Sequence, residues 1–265
     1  MREWFGSFLQ TRLANLIITA TYAGMIELKP ITDKEPALVH SPLLKAALLT
    51  LGYIEEHGPI GLTPLKALKR YFVEWAAREF AWPHYTAAEL FEMNKVLNEQ
   101  DFMPLLVLHD VLIATKLARH YKGTLQITKL GRELRGQPRE LWALLARHLL
   151  FHHDHSQYFR SDDRPLGNWD VFLNVINVET DMGASEGRLC SVLYGGHETD
   201  FRRHSYKIAF AFYAHVLRPL CWVGLLFQHR TGRGFEQREI FTKTPLWAAA
   251  LKLDTDPHLT QQTKH

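Results

Sequence analysis

A local pattern returns along this chain, and it limits the possible fold more than composition does. An apolar helical stretch runs into a short strand-like segment ending in Thr, where a second helix starts. The clearest copy covers residues 107–134, VLHDVLIATKLARHYKGTLQITKLGREL. A second covers residues 216–251, VLRPLCWVGLLFQHRTGRGFEQREIFTKTPLWAAAL, and a shorter one covers residues 44–68 with the junction GPIGLTPLKAL. Val107, Leu117, His120 and Gly123 match Val216, Leu226, His229 and Gly232 at a constant offset. Thr128-Lys129 recurs as Thr242-Lys243 after a longer hairpin. Helix, two-stranded hairpin, helix is therefore the expected order in each copy, which makes the chain mainly α with short β-hairpins.

The 265 residues suffice for one large domain or two to three small ones. Apolar residues at 46% and charged residues at 22% fit an ordinary globular protein. The net charge of +3 permits contact with nucleic acid without requiring it. Cys190 and Cys221 lack metal-type spacing and read as thiols of a reducing compartment, which favours the cytoplasm. Residues 13–26 are rather apolar but too short and too interrupted for a membrane span, and Glu3 and Gln10 break a secretory pattern. The chain restarts naturally at Met25, so residues 1–24 are expected to be a loosely held extension.

Start signals mark most helices. Ser41-Pro42 opens one to about Glu56, Thr63-Pro64 opens another across residues 65–80, and Thr86 with Glu89 forms a capping box. A helix is expected over residues 102–120, followed by a strand over residues 124–128. Residues 183–196 read as loop. A long helical region from Thr199 runs through residue 227, with Pro219 kinking it or restarting it. Polar residues after Asp154 mark the domain boundary. The expected division is an extension at 1–40, a unit at 41–153, a linker at 154–168, a second unit at 169–253 and a disordered tail at 254–265.

The stretch LQITKLGREL resembles the wing-to-helix junction of the MarR and PadR families, with Ile127, Thr128, Gly131 and Leu134 at the matching positions. The resemblance covers about thirty residues, and about as many again in the second copy. It implies two winged-helix-like units, each with a short β-hairpin wing, and with them the possibility of DNA binding. In such a fold the helix before the wing enters the major groove, while wing cations reach phosphates or the minor groove. The second wing supplies Arg230, Arg233 and Arg238; the first offers Lys116, Arg119, Lys122 and Lys129. Against groove reading, the helices before both wings are too apolar to present base-reading side chains.

Two further groupings bear on chemistry. His148, His152 and His155 fall at i, i+4 and i+7 and would share one face if the helix continued that far, a spacing that could ligate a metal. Their plainer reading is a solvated helix end. Asp170, Asn174, Asn177 and Asp181 form a polar stripe in an otherwise apolar helix. It reads first as an exposed face, and alternatively as a buried network facing a pocket. No G-x-S-x-G elbow and no Gly-rich phosphate loop is present in the sequence.

The sequence therefore favours a non-enzymatic regulatory module that needs no cofactor and no membrane. Double-stranded DNA is the expected partner, through Lys122, Lys129, Arg230, Arg233 and Arg238. A protein-interaction scaffold is the alternative, and a metal-dependent hydrolase built on His148, His152 and His155 with Asp154 or Asp170 is the third reading. Apolar helices facing each other in a pseudo-repeat also invite a homodimer.

Overall fold

A computed structural model describes residues 28–32, 34–159, 163–203, 205–232 and 238–262. Of the extension expected at 1–40, residues 1–24 lie outside the described residues, whereas Pro36–His40 form a short helix with Ala37 and Leu38 buried. The chain divides into two units, one of residues 32–153 with 222–224 and the other of the remainder; these are called the N unit and the C unit.

In the N unit, α1 spans Pro42–His57. Ser41 Oγ accepts from Leu44 N at 3.2 Å, and Pro42 costs nothing at the first turn, where its missing N–H would have no helical partner. Leu43, Leu44, Ala47, Leu51 and Ile54 form its buried face. The helix stops at Gly58, whose φ of 89° suits glycine. The two-residue strand β1 (Ile60–Gly61) follows. Helix α2 (Arg70–Glu79) starts later than Thr63-Pro64 suggested. Residues 63–69 turn back instead: Leu62 bridges Leu68, Lys69 N donates to Gly61 O, and Lys66 takes a φ of 65°.

Helix α3 (Ala87–Met93) carries the Thr86–Glu89 capping box, and α4 spans Met103–Ala114. Between Pro104 and Leu112 only Leu106 and Asp110 escape full burial. The hairpin of β2 (Ala118–Tyr121) and β3 (Thr124–Ile127) begins where the sequence suggested more helix. It pairs Ala118 with Ile127 and Tyr121 with Thr124, and β1 adds to β3, so the sheet order is β1-β3-β2. Thr128 caps α5 (Lys129–Arg135), and α6 (Pro138–Phe151) closes the unit. Its buried Trp142 donates from Nε1 to Val223 O at 2.8 Å, which satisfies the indole inside the core.

The C unit repeats this order. Asn168 caps α7 (Trp169–Glu179), and β4 (Ala184–Ser185) leads into α8 (Glu186–Tyr194). Helix α8 replaces the loop expected at 183–196. Its start signal is Ser185, whose Oγ accepts from Arg188 N at 3.0 Å, and the surrounding glycines hid it. After α9 (Asp200–Arg203) and α10 (Tyr206–Phe212), the helix widens into a π turn over Tyr213–Leu217 and resumes as α11 (Arg218–Trp222). Pro219 has no amide to offer the carbonyl four residues back, and Arg218 N bonds Tyr213 O five residues back. Strands β5 (Leu226–Thr231) and β6 (Arg238–Lys243) form the second hairpin, with the order β4-β6-β5. Thr244 caps α12 (Pro245–Ala250), and α13 covers Asp256–Gln262. Residues 254–262, read as disordered tail, are thus a turn and a helix, and Thr255 is fully buried.

Matching backbone bonds set the true correspondence between the units. Leu117 N bonds Leu112 O and Thr128 N bonds Leu117 O; Leu225 N bonds Leu220 O and Thr244 N bonds Leu225 O. Leu117 therefore corresponds to Leu225 and Thr128 to Thr244, not to Leu226 and Thr242 as the sequence alignment had it. Among the described residues no helix is long and apolar enough to cross a membrane.

Candidate functional site

The β2–β3 hairpin shows two faces. Ala118, Leu125 and Ile127 are buried on the inner face, which His120 shares while remaining exposed, whereas Arg119, Tyr121, Thr124 and Gln126 alternate to the outer side. Tyr121 is 46% exposed. The Arg119 guanidinium lies 5.4 Å and the Lys122 ammonium 5.3 Å from the centre of its ring. Lys122 occupies the turn with a φ of 46° beside Gly123. An exposed ring with two cations held against it forms a compact basic and aromatic tip. Lys129 is exposed in the first turn of α5.

The second hairpin is different. Arg230 Nε pairs with Glu239 Oε1 at 2.9 Å, which cancels much of that cation's charge on its own strand pair. Arg238 is exposed beside Thr231, and Arg233 lies outside the described residues. The outer face here carries Phe227 and His229, with the His229 ring bonded to Thr242 Oγ1 at 2.8 Å. Among the described residues the cations named from the sequence thus differ in availability, and Arg119 sits at the β2–β3 tip.

Neither helix preceding a hairpin offers a groove-reading face of the usual kind. Helix α4 is enclosed almost throughout. Helix α10 exposes Tyr206, Ile208 and Phe210, an apolar set with Phe159 edge-on against Phe210 at 5.0 Å.

The three histidines do not share one helix face. Helix α6 ends at Phe151, so the face expected to carry His148, His152 and His155 stops short. His148 and His152 belong to the N unit with ring centroids 6.2 Å apart, whereas His155 is buried in the C unit, 5.9 Å from His215. Among the described residues no group of three His, Cys, Asp or Glu side chains is placed to hold a metal ion. Burial pushes the Cys190 and Cys221 thiols up, which keeps them protonated and poor nucleophiles.

Asn174 and Asn177 of the polar stripe are in a buried network on α7, whereas Asp170 is half-buried and Asp181 is exposed just past the end of the helix. Asn174 Oδ1 accepts from Thr255 N at 3.1 Å and from Thr255 Oγ1 at 2.9 Å. Asn177 Nδ2 donates to Thr255 Oγ1 and Asp256 Oδ1, both at 2.9 Å, and its Oδ1 accepts from Trp247 Nε1 at 2.9 Å. Lys243 Nζ donates to Asn177 O at 2.8 Å and pairs with Asp181 at 3.1 Å. These bonds tie α7 to α12 and α13 within the C unit. With the amides engaged in structure, the stripe has little left to offer a substrate.

A second constellation, buried at Glu99 and His109 and exposed at His120, lies in the N unit, and the sequence reading missed it because its members are far apart and follow no motif. Glu99 is 3% exposed; its Oε2 accepts from Leu68 N and its Oε1 meets His109 Nδ1, each at 2.7 Å. His109 Nε2 lies 2.8 Å from His120 Nε2 on β2. A hydrogen-bonded chain thus runs from a buried carboxylate to strand β2.

Three histidines are expected to make the protein acid-sensitive. His120, His148 and His215 are each held below their ordinary value of 6.5, chiefly by burial, with His109, His152 and Arg164 respectively as the next cause. A base depressed in the folded state stabilises fully above its unfolded value, and that contribution is lost as pH falls through about 6.5. Thermal midpoints followed by circular dichroism should therefore drop between pH 7.5 and pH 5.5; a flat profile would contradict these environments.

These features define a mainly α-helical protein of two similar units, each carrying a small antiparallel sheet. Residues 39–140 match the family model for the Y4jL N-terminal domain, and residues 159–245 match that for the y4jL C-terminal domain. The chain is also 38% identical over 173 residues to the uncharacterized protein y4jL of Sinorhizobium fredii (strain NBRC 101917 / NGR234), covering 65% of this chain and 78% of that protein. The chain belongs to the Y4jL family. No solved structure matches it.

Proposed function

We propose that this protein is a non-enzymatic regulatory module of winged-helix type that contacts nucleic acid through its hairpin wings, in a reducing, cytoplasmic setting. The observation that carries this reading is the β2–β3 tip, where Arg119 and Lys122 flank the exposed ring of Tyr121. Held against the ring, the two cations are partly pre-ordered, so less side-chain entropy is lost when they meet phosphates. Lys129 and Arg238 extend the positive surface of their own units. Enclosure of α4 argues against base-edge reading by that helix, so contact would be salt-sensitive and weakly sequence-specific.

Fluorescence anisotropy with a labelled random duplex tests this. Micromolar binding at low salt is expected, weakening steeply towards physiological salt. Changing Arg119 and Lys122 together to Ala should reduce the salt slope by about 2, at roughly 0.9 per phosphate contact, and weaken low-salt binding about tenfold. Arg230→Ala should do less, since Glu239 already engages that cation. Absence of binding at low salt would remove the reading. The exposed Tyr206, Ile208 and Phe210 of α10 would then favour the protein-interaction scaffold, because grouped apolar side chains on a surface often mark a docking face.

A further inference from the structure

We propose that Glu99, His109 and His120 form an acid-sensitive latch that holds edge strand β2 in the N unit and releases it when the two imidazoles are protonated. Strand β2 lies at the edge of the sheet and is bonded to β3 alone. On its other side, His120 Nε2 reaches His109 Nε2 of α4 at 2.8 Å. The latch is anchored from behind, where buried Glu99 is fixed by Leu68 N and in turn bonds His109 Nδ1.

The proton arithmetic follows from this geometry. Glu99 is an acceptor, so His109 Nδ1 carries its hydrogen. In the neutral pair, His109 Nε2 must then accept and His120 Nε2–H donates across the 2.8 Å gap. A proton added to the outer nitrogen of His120 leaves that bond in place. Once His109 is also protonated, both Nε2 atoms are donors aimed at each other, and no hydrogen bond can form between them. The charged groups facing His120 are His109 and Asp110 on α4, Lys66 from the turn before α2, and Glu99 from the turn before α4. Burial, His109 and Lys66 disfavour its cation while Glu99 and Asp110 favour it, with the balance towards neutral. By linkage, acid favours the open state by at most tenfold in the open-to-closed ratio per pH unit for each imidazole that takes up a proton on opening, and so by at most a hundredfold when both do.

The C unit supplies an internal comparison. With Leu117 matched to Leu225, the position of His120 is taken by Gln228, whose Nε2 donates to Glu239 Oε2 at 2.7 Å. An amide in that place does not titrate. His229 lies on the opposite face and bonds Thr242 Oγ1, a hydroxyl that can accept from either protonation state of the ring. The inference stands apart from nucleic-acid binding, since it concerns only the seating of β2.

Amide hydrogen exchange on the full chain at pH 7.5, 6.5 and 5.5, corrected for intrinsic rates, tests it. Protection in β2 should fall severalfold by pH 5.5 while β5 changes much less. His120→Gln, which copies the C-unit arrangement, should remove the pH dependence of β2. Equal acid responses in the two hairpins, or an unchanged response in His120→Gln, would overturn the latch. If that variant does not fold, imidazole nitrogen spectra of the unmodified protein decide: protonation of the His109–His120 pair must coincide with loss of β2 protection, and protonation without that loss overturns it.

Discussion

Asn177→Ala is expected to lower the stability of the C unit by about 3–4 kcal/mol, seen as a fall of roughly 10 °C in its thermal midpoint. Asn177 is 1% exposed and serves Thr255, Asp256 and Trp247 with one amide group. Truncation leaves the buried Trp247 indole N–H without its acceptor and removes a donor from Thr255. Each buried polar group left unsatisfied costs about 1–3 kcal/mol, more than the bond itself had contributed net. The loss should appear locally as faster amide exchange in α12 and α13, since the network holds both to α7. A drop below about 1 kcal/mol would mean that the network is solvated and that the stripe is a surface after all.

Gly131→Ala is the second large effect, a net loss of about 2 kcal/mol in the N unit. A methyl group at this position would meet Leu117 O at 2.2 Å and Ile127 Cγ1 at 2.8 Å. The first obstacle is backbone, so the start of α5 must move away from the hairpin, with an overpacking cost of about 3 kcal/mol. The intrinsic preference of Ala over Gly inside a helix returns about 1 kcal/mol. Urea unfolding followed by tryptophan fluorescence would measure the difference, and a neutral or stabilised variant would show that the junction is loose. This close approach explains the Gly of the Thr-x-x-Gly junction: the helix leaves the hairpin so tightly that only a hydrogen fits.

The junctions of this protein were the most legible part of its sequence, because capping is local chemistry. Ser41, Thr86 and Thr128 each place a side-chain oxygen on a nearby amide, within three residues, and no tertiary contact is needed to recognise the pattern. The two hairpins followed from alternation and from the Gly123 and Gly232 turns. Helix α8 was missed because Gly183, Gly187, Gly195 and Gly196 outweigh its single Ser185 cap.

Register was legible only to within one or two residues. Aligning His120 with His229 gave a constant offset, yet the backbone bonds match His120 to Gln228. Side chains alternate across a strand, so one residue of error exchanges the inner face for the outer. The same lack of depth information misjudged Asn174 and Asn177: their spacing placed them correctly on one face of α7, but whether that face met water depended on α12 and α13 folding back over it. The His148, His152 and His155 spacing failed for a related reason, since helical periodicity means nothing past the residue where the helix ends.

The sequence by itself determined where most of the helices and both hairpins lie, because caps, turns and periodicity act over a few residues. Only the tertiary structure decided which polar groups are buried and which cations stand free. The Glu99–His109–His120 chain joins a turn, a helix and an edge strand, and Arg230 loses its freedom to Glu239 across a strand pair. Such groupings depend on distances closed by packing, and packing is set by the whole core at once.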